Sequence, residues 1–187
     1  MTNMCILQIT LLLCFSTTAL SMSYDLLRFQ QRESSLECQK LLRQLNGSPQ
    51  YCLKDRINFE APEEIKKPQQ FQKEDAALFI YEMLQNIFGI LRRDFSSTGW
   101  NETIVEDLLA KFHQQMDRLE TILAEKLEEE NITRGNIMNI LHLKSYYFRI
   151  MQYLKAKEYS SCAWIIVQDE ILRNFLFINR LTDYLQN

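Results

Sequence analysis

Apolar residues recur at intervals of three and four along most of this chain, which is the period of one face of an α-helix. Five such stripes are legible. The first runs over about 24–45, ends in Cys38, Leu41, Leu42 and Leu45, and is stopped by Asn46-Gly47. The second, over about 72–93, carries Ala77, Ile80, Leu84, Ile87, Phe88 and Leu91. The third, over about 102–129, carries Val105, Leu108, Leu109, Phe112, Met116, Leu119, Leu123 and Leu127. The fourth, over about 134–156, carries Ile137, Ile140, Leu141, Tyr147, Phe148, Met151 and Leu154. The fifth, over about 161–184, carries Trp164, Val167, Ile171, Ile178 and Leu181, with Leu185 just beyond. With only 4 Gly and 3 Pro in 187 residues, little interrupts these helices.

The joints between the stripes are unequal. Those around Ser96–Trp100, Asn131–Thr133 and Lys157–Ser160 are short, which favours antiparallel neighbours. The connection from about 46 to 71 is long and holds all three prolines, Pro49, Pro62 and Pro68. One long crossover among short turns predicts an all-α, up-up-down-down helical bundle of five helices.

The first 24 residues carry no charged side chain, and the apolar run from Ile6 to Phe15 is followed by Ser16-Thr17-Thr18. Ala19 and Ser21 put small residues at −3 and −1 of a cut before Met22. The pattern predicts a signal peptide at 1–21, export from the cell, and one helical domain at 22–187. Net charge is −3, and no basic block or aromatic–basic motif suggests nucleic acid. No second apolar stretch suggests insertion in a membrane.

Cleavage at that site removes Cys5 and Cys14 and leaves Cys38, Cys52 and Cys162. An odd number in an oxidising compartment predicts one bridge and one free thiol, or a bond between molecules. Cys38 shares the apolar face of the first helix and reads as a buried thiol. Cys52 and Cys162 lie in loop-like surroundings, which favours their pairing, although spacing leaves all three single-bridge choices open. Three N-x-[ST] sequons, at Asn46, Asn101 and Asn131, fall at the joints, where glycan access is easy. Asn101 is the best placed, while Pro49 directly after Ser48 counts against Asn46.

Candidate chemistry is sparse. His113 and His142 lie on different helices and outside any His-Glu-x-x-His pattern, so no metal site is expected. Ser160-Ser161 lacks the Gly-x-Ser-x-Gly turn of a nucleophile elbow, and there is no phosphate-binding glycine loop. The acids Glu120, Glu125, Glu128, Glu129 and Glu130 read as a solvated helix face rather than paired catalytic carboxylates. These features point away from an enzyme and from a cofactor. Two readings remain: a helical protein that binds another protein, or a secreted bundle that carries a small apolar ligand.

Several strings favour the first reading. Cys52-Leu53-Lys54-Asp55-Arg56, Phe71-Gln72-Lys73-Glu74-Asp75-Ala76-Ala77, Tyr81-Glu82-Met83-Leu84-Gln85-Asn86-Ile87-Phe88, Ser97-Thr98-Gly99-Trp100-Asn101-Glu102-Thr103, Tyr153-Leu154-Lys155-Ala156-Lys157-Glu158-Tyr159-Ser160, Cys162-Ala163-Trp164 and Glu170-Ile171-Leu172-Arg173-Asn174-Phe175 together resemble the type I interferons, and the likeness covers the whole chain. The resemblance implies a secreted, monomeric antiviral cytokine that bridges the two chains of the type I interferon receptor and signals through kinases to transcription factors. It also implies a Cys52–Cys162 bridge and a free Cys38. By matching motif, Leu53, Arg56, Trp164 and Arg173 are expected at the high-affinity receptor chain, and Phe88 and Arg92 at the second. Gln168, Asp169 and Ser145 depart from the family's usual residues. Gln114 and Arg118 stand where some relatives carry histidines that hold zinc, so no zinc site is implied.

Overall fold

The structure, a computed structural model, describes residues 24–45, 47–67, 71–127 and 134–186. The expected leader and the sequon residues Asn46 and Asn131 lie outside these residues, as do Pro68 and the acids Glu128, Glu129 and Glu130. Among the described residues there are α-helices and short 3₁₀ turns but no strand. The helices are α1 (24–44), a four-residue α2 (Glu63–Lys66), α3 (Lys73–Leu91), α4 (Glu102–Leu127), α5 (Arg134–Ala156) and α6 (Ser161–Asp183). The five long helices match the five stripes; α2, inside the crossover, has no apolar period to announce it.

Local signals set the helix starts. Gln72 and Asp75 form a capping box at the start of α3. The Asn101 Oδ1 accepts the Thr103 N–H at 2.9 Å ahead of α4, and the Ser160 Oγ accepts the Ala163 N–H at 3.4 Å ahead of α6. Gly99 takes φ 70° in the α3–α4 joint, a left-handed conformation that a side chain disfavours.

Cross-links between helices give their directions. Arg28 near the start of α1 bonds Gln186 beyond α6, while Leu42 near its end receives Gln168 from the first half of α6, so α1 and α6 are antiparallel. Tyr146 and Tyr147 of α5 bond Glu170 and Asn174 of α6, and the short joint at 157–160 turns the chain back, which makes these two helices antiparallel. Ser34 meets Arg118 and Glu37 meets Lys111, so α4 runs against α1. With α3 turning back into α4 through a short joint, α1 and α3 run up and α4 and α6 run down. The fifth long helix, α5, runs up and carries the chain between α4 and α6. This is an all-helical bundle with one long crossover among short joints.

The core lies among the inward faces of α1, α3, α4, α5 and α6. The expected inward stripe holds for α3, where Ala77, Ile80, Leu84, Ile87 and Leu91 are buried. It holds equally for Trp164, Val167, Ile171, Ile178 and Leu181 on α6. In α5 it does not. Ile137, Leu141 and Phe148 are more than half exposed, and the buried face is Leu143, Tyr146, Tyr147, Ile150, Tyr153 and Leu154. Three tyrosines make that face look polar in sequence, yet each buries its ring and bonds its hydroxyl. The α1–α4 contact is likewise more polar than an apolar stripe suggests. Gln31 donates to the Gln115 Oε1 at 2.6 Å, and Gln115 in turn lies 3.2 Å from the Cys38 Sγ.

Candidate functional site

The crossover from α1 to α3 travels the length of the bundle. It starts beside α6, where Gly47 has φ 146° and a Cβ would fall 2.6 Å from Ile165. Only a residue without a side chain lets the backbone pass that close in that conformation. Gln168, buried on α6, donates from Nε2 to the Leu42 carbonyl at 2.6 Å and the Leu45 carbonyl at 3.2 Å. Both carbonyls lie at the end of α1, where helical partners run out, although that of Leu42 also accepts the Leu45 N–H at 3.2 Å. The following 3₁₀ turn, Pro49–Asp55, buries Cys52, which is bonded to Cys162 with the Cα atoms 5.3 Å apart.

From there the chain descends along α5. The Tyr153 hydroxyl donates to the Asp55 carbonyl at 2.8 Å, and Lys157 pairs with the Asp55 carboxylate at 2.8 Å. Partial burial, with the Asp55 charge adding to it, pushes the Tyr153 phenol up to about 12. Arg149 donates from Nε to the Phe59 carbonyl at 3.1 Å and from Nη2 to the Glu60 carbonyl at 2.9 Å. Phe59 is buried edge-on against Tyr153, with ring centroids 5.2 Å apart. His142 meets Glu64 at 2.9 Å, and Arg180 of α6 donates to the Lys66 carbonyl at 3.1 Å. Residues 142, 149, 153 and 157 share one side of α5 by helical spacing, so one face of α5 supplies the contacts from Asp55 to Glu64.

This fastening leaves a set of side chains in solvent. Tyr51, Leu53 and Ile57 are at least half exposed, and Arg56 is exposed beside them in the chain. On α6, Arg173 projects outward. Its Nη1 lies 3.1 Å from the Glu170 Oε2 and its Nη2 lies 3.6 Å from the Asp169 Oδ2. Glu170 is itself buried and accepts the Tyr146 hydroxyl at 2.6 Å. Asn174 donates to the Tyr146 oxygen at 2.6 Å and accepts the Tyr147 hydroxyl. Burial, more than the Glu170 charge, pushes the Tyr146 phenol far up; for Tyr147 burial again leads. On α3, Phe88 is half-buried, and the exposed Arg92 guanidinium lies 5.5 Å from its ring centroid.

Trp164 corrects an expectation. It is fully buried, its Nε1 donates to the Asp94 carbonyl at 2.8 Å, and its ring meets Trp100 at 5.4 Å. The outward residues of α6 follow Cys162, Ile165, Asp169 and Arg173, and Trp164 belongs to the opposite, inward face with Val167 and Ile171. It therefore secures the α3–α4 joint to the start of α6 from inside the core instead of presenting its ring to solvent. Gln168, one of the departures from the family's usual residues, is buried and clamps the end of α1. Ser145 is exposed and lies 3.3 Å from Arg149. Sequence reasoning missed the Tyr146–Glu170–Asn174 network. The signal was present, since Glu170 and Asn174 are four residues apart on the face that holds Ile171 and Ile178.

Nothing in this arrangement resembles a reacting centre. Ser160 is engaged as a helix cap, His113 lies near Asp117 and His142 near Glu64. Among the described residues no group of three His, Cys, Asp or Glu side chains could hold a metal, and no helix is long and apolar enough to cross a membrane.

Comparison with known proteins decides what the bundle is. The family model described as the interferon alpha/beta domain matches residues 27–185. The chain belongs to the type I interferon family. It is 72% identical to interferon beta of Macaca fascicularis and 72% identical to interferon beta of Homo sapiens, over 187 residues and the full length of both chains in each case. Mouse (Mus musculus) interferon beta is 50% identical over the same span. Zebrafish interferon 1 superposes with a TM-score of 0.68 over 83% of this chain and 96% of its own, and at 19% identity it shares the fold alone. As a type I interferon the chain is an antiviral cytokine and not an enzyme. The polar and aromatic groups above are to be read as parts of a binding protein.

Proposed function

We propose that this interferon is secreted after removal of residues 1–21 and acts as a monomer that bridges the two chains of the type I interferon receptor, switching on kinase-to-transcription-factor signalling. The stapled crossover and the outward face of α6 meet the high-affinity chain, with Leu53, Arg56 and Arg173 as contacts. Phe88 and Arg92 on α3 meet the second chain. The observation that carries this reading is the placement of exposed Leu53 and Arg56 on a turn bonded covalently to the start of α6. A turn held before binding loses little freedom when a partner arrives, and a guanidinium on it can grip a carboxylate with two parallel bonds. Asn101 carries the N-glycan in this reading. Its oxygen caps α4 and its side chain is exposed, which leaves the amide nitrogen for the sugar.

Two measurements test the proposal. The purified protein should induce interferon-response transcription in receptor-bearing cells and fail in cells lacking either receptor chain. Arg56→Ala should weaken binding to the ectodomain of the high-affinity chain by roughly tenfold or more if the residue is a buried anchor, with an unchanged melting temperature. Equal affinity of the variant and the parent would remove Arg56 from the interface.

A further inference from the structure

The Arg173 fork is already occupied from within its own helix. Its two terminal nitrogens face two different carboxylates, Glu170 at 3.1 Å and Asp169 at 3.6 Å. The two acids are not alike. The Glu170 side chain is 5% exposed, accepts the Tyr146 hydroxyl and is fixed by the Asn174 network, so it cannot turn away. The Asp169 side chain is 45% exposed, has no other bond among the described residues, and shares the outward face of α6 with Arg173. A partner carboxylate that approaches Arg173 from solvent meets the Asp169 charge beside it, since the two side chains are equally exposed on that face. Asp169 repels it and competes for the same Nη2.

We infer that Asp169 is a specificity-determining residue that masks Arg173, so that the arginine is released only to a receptor surface whose acid can displace it. The inference rests on the proposed placement of Arg173 at the high-affinity receptor chain. Glu170 anchors one edge of the guanidinium and sets its direction; Asp169 covers the other edge. Both charges of the outer pair are nearly half in water, so the mask is shallow, and lifting it changes affinity by a small factor. A partner without an acid at that place gains nothing from displacing Asp169, which is how a weak intramolecular pair contributes to choice among partners.

The test uses four full-length proteins, namely the parent, Asp169→Asn, Arg173→Ala and the double variant, binding to the immobilised ectodomain of the high-affinity receptor chain. Asparagine keeps the shape of Asp169 and removes its charge. The expected result is that Arg173→Ala weakens binding, and that Asp169→Asn tightens it roughly two- to fivefold when Arg173 is present and leaves it unchanged when Arg173 is absent. Asp169→Asn acting equally in both backgrounds would reveal a general charge effect and overturn the inference, as would no effect in either. If Arg173→Ala itself leaves binding unchanged, the placement of Arg173 fails, and the inference falls with it.

Discussion

Where the crossover meets α6 it is held by a covalent bond, a glycine packed on Ile165 and a buried glutamine; where it meets α5 it has no covalent bond and is held by the buried Phe59 ring against Tyr153 and by single polar links spaced along one helix face. The two regions hold the same segment by different physics. The α6 side does not depend on salt and cannot open without reduction or loss of the core beneath it. Each polar link on the α5 side is partly wet and individually weak, and the links act in series from Asp55 down to Glu64. The exposed Leu53 and Arg56 sit at the covalent end. The contrast puts the strongest constraint under the proposed binding surface and leaves the return path to α3 freer to open locally.

The sharpest way to break the α6 side is from underneath. Trp164→Ala should destabilise the protein by about 3–5 kcal/mol, because a fully buried indole leaves a cavity and the Asp94 carbonyl loses its donor. Urea unfolding measures this; a loss below about 1 kcal/mol would mean that Trp164 is dispensable to the packing. Next in size is the staple. Serine at both Cys52 and Cys162 should cost about 2–4 kcal/mol, since the bond closes a sequence separation of 110 residues in the unfolded chain. Amide exchange in that double variant should quicken over 47–56 more than over 58–66. Equal quickening would erase the distinction between the two sides.

How far this arrangement was readable in advance differs from region to region. The five long helices and the single crossover were legible because apolar period and proline placement are local properties. On α6 the inward face was legible too, since Val167, Ile171, Ile178 and Leu181 are unambiguous. The α5 face was legible only in part, through Tyr147 and Leu154. Ile137, Leu141 and Phe148 form an apolar stripe as regular as the real one, and only packing against α3 and α6 selects Leu143, Tyr146, Ile150 and Tyr153 instead. Cys52, Leu53 and Arg56 could be singled out by resemblance, but the α5 side chains that hold their loop could not. Arg149, Tyr153 and His142 act on backbone carbonyls and one acid far away in sequence, and no pattern in either segment encodes that register. Trp164 was misplaced because a motif identifies a residue without giving its direction on the helix.

The α5 side can be tested separately through Arg149, which bonds two consecutive carbonyls of the crossover. Arg149→Met keeps the aliphatic stem and removes the donors. The expected cost is about 1–2 kcal/mol, the range for hydrogen bonds to a charged group in a half-wet site. Exchange should quicken over 58–66 and remain slow over 47–56, the reverse of the staple variant. If both segments loosen together, the crossover is one cooperative unit and the two fastenings are not independent.

The smallest effect concerns the cysteine on neither side. Cys38 is buried on α1, and loss of solvent pushes its thiol up to about 12 from 9.0, with the neighbouring Gln115 bond opposing that rise. At neutral pH both the folded and unfolded thiols are protonated, so the group contributes no pH dependence there. Above about pH 9 the unfolded chain loses its proton while the folded protein keeps it, so stability must fall as pH rises. The loss through this group should reach about 1 kcal/mol by pH 10 and be absent from Cys38→Ser, with thermal melts of the two proteins at pH 8, 9 and 10 giving the comparison. The same burial keeps the thiolate scarce, so in the native protein Cys38 should resist alkylation at pH 8 and should not exchange with the Cys52–Cys162 bond. Rapid labelling under native conditions would show that the face of α1 opens, and that the covalent side of the crossover has a competitor for its bond.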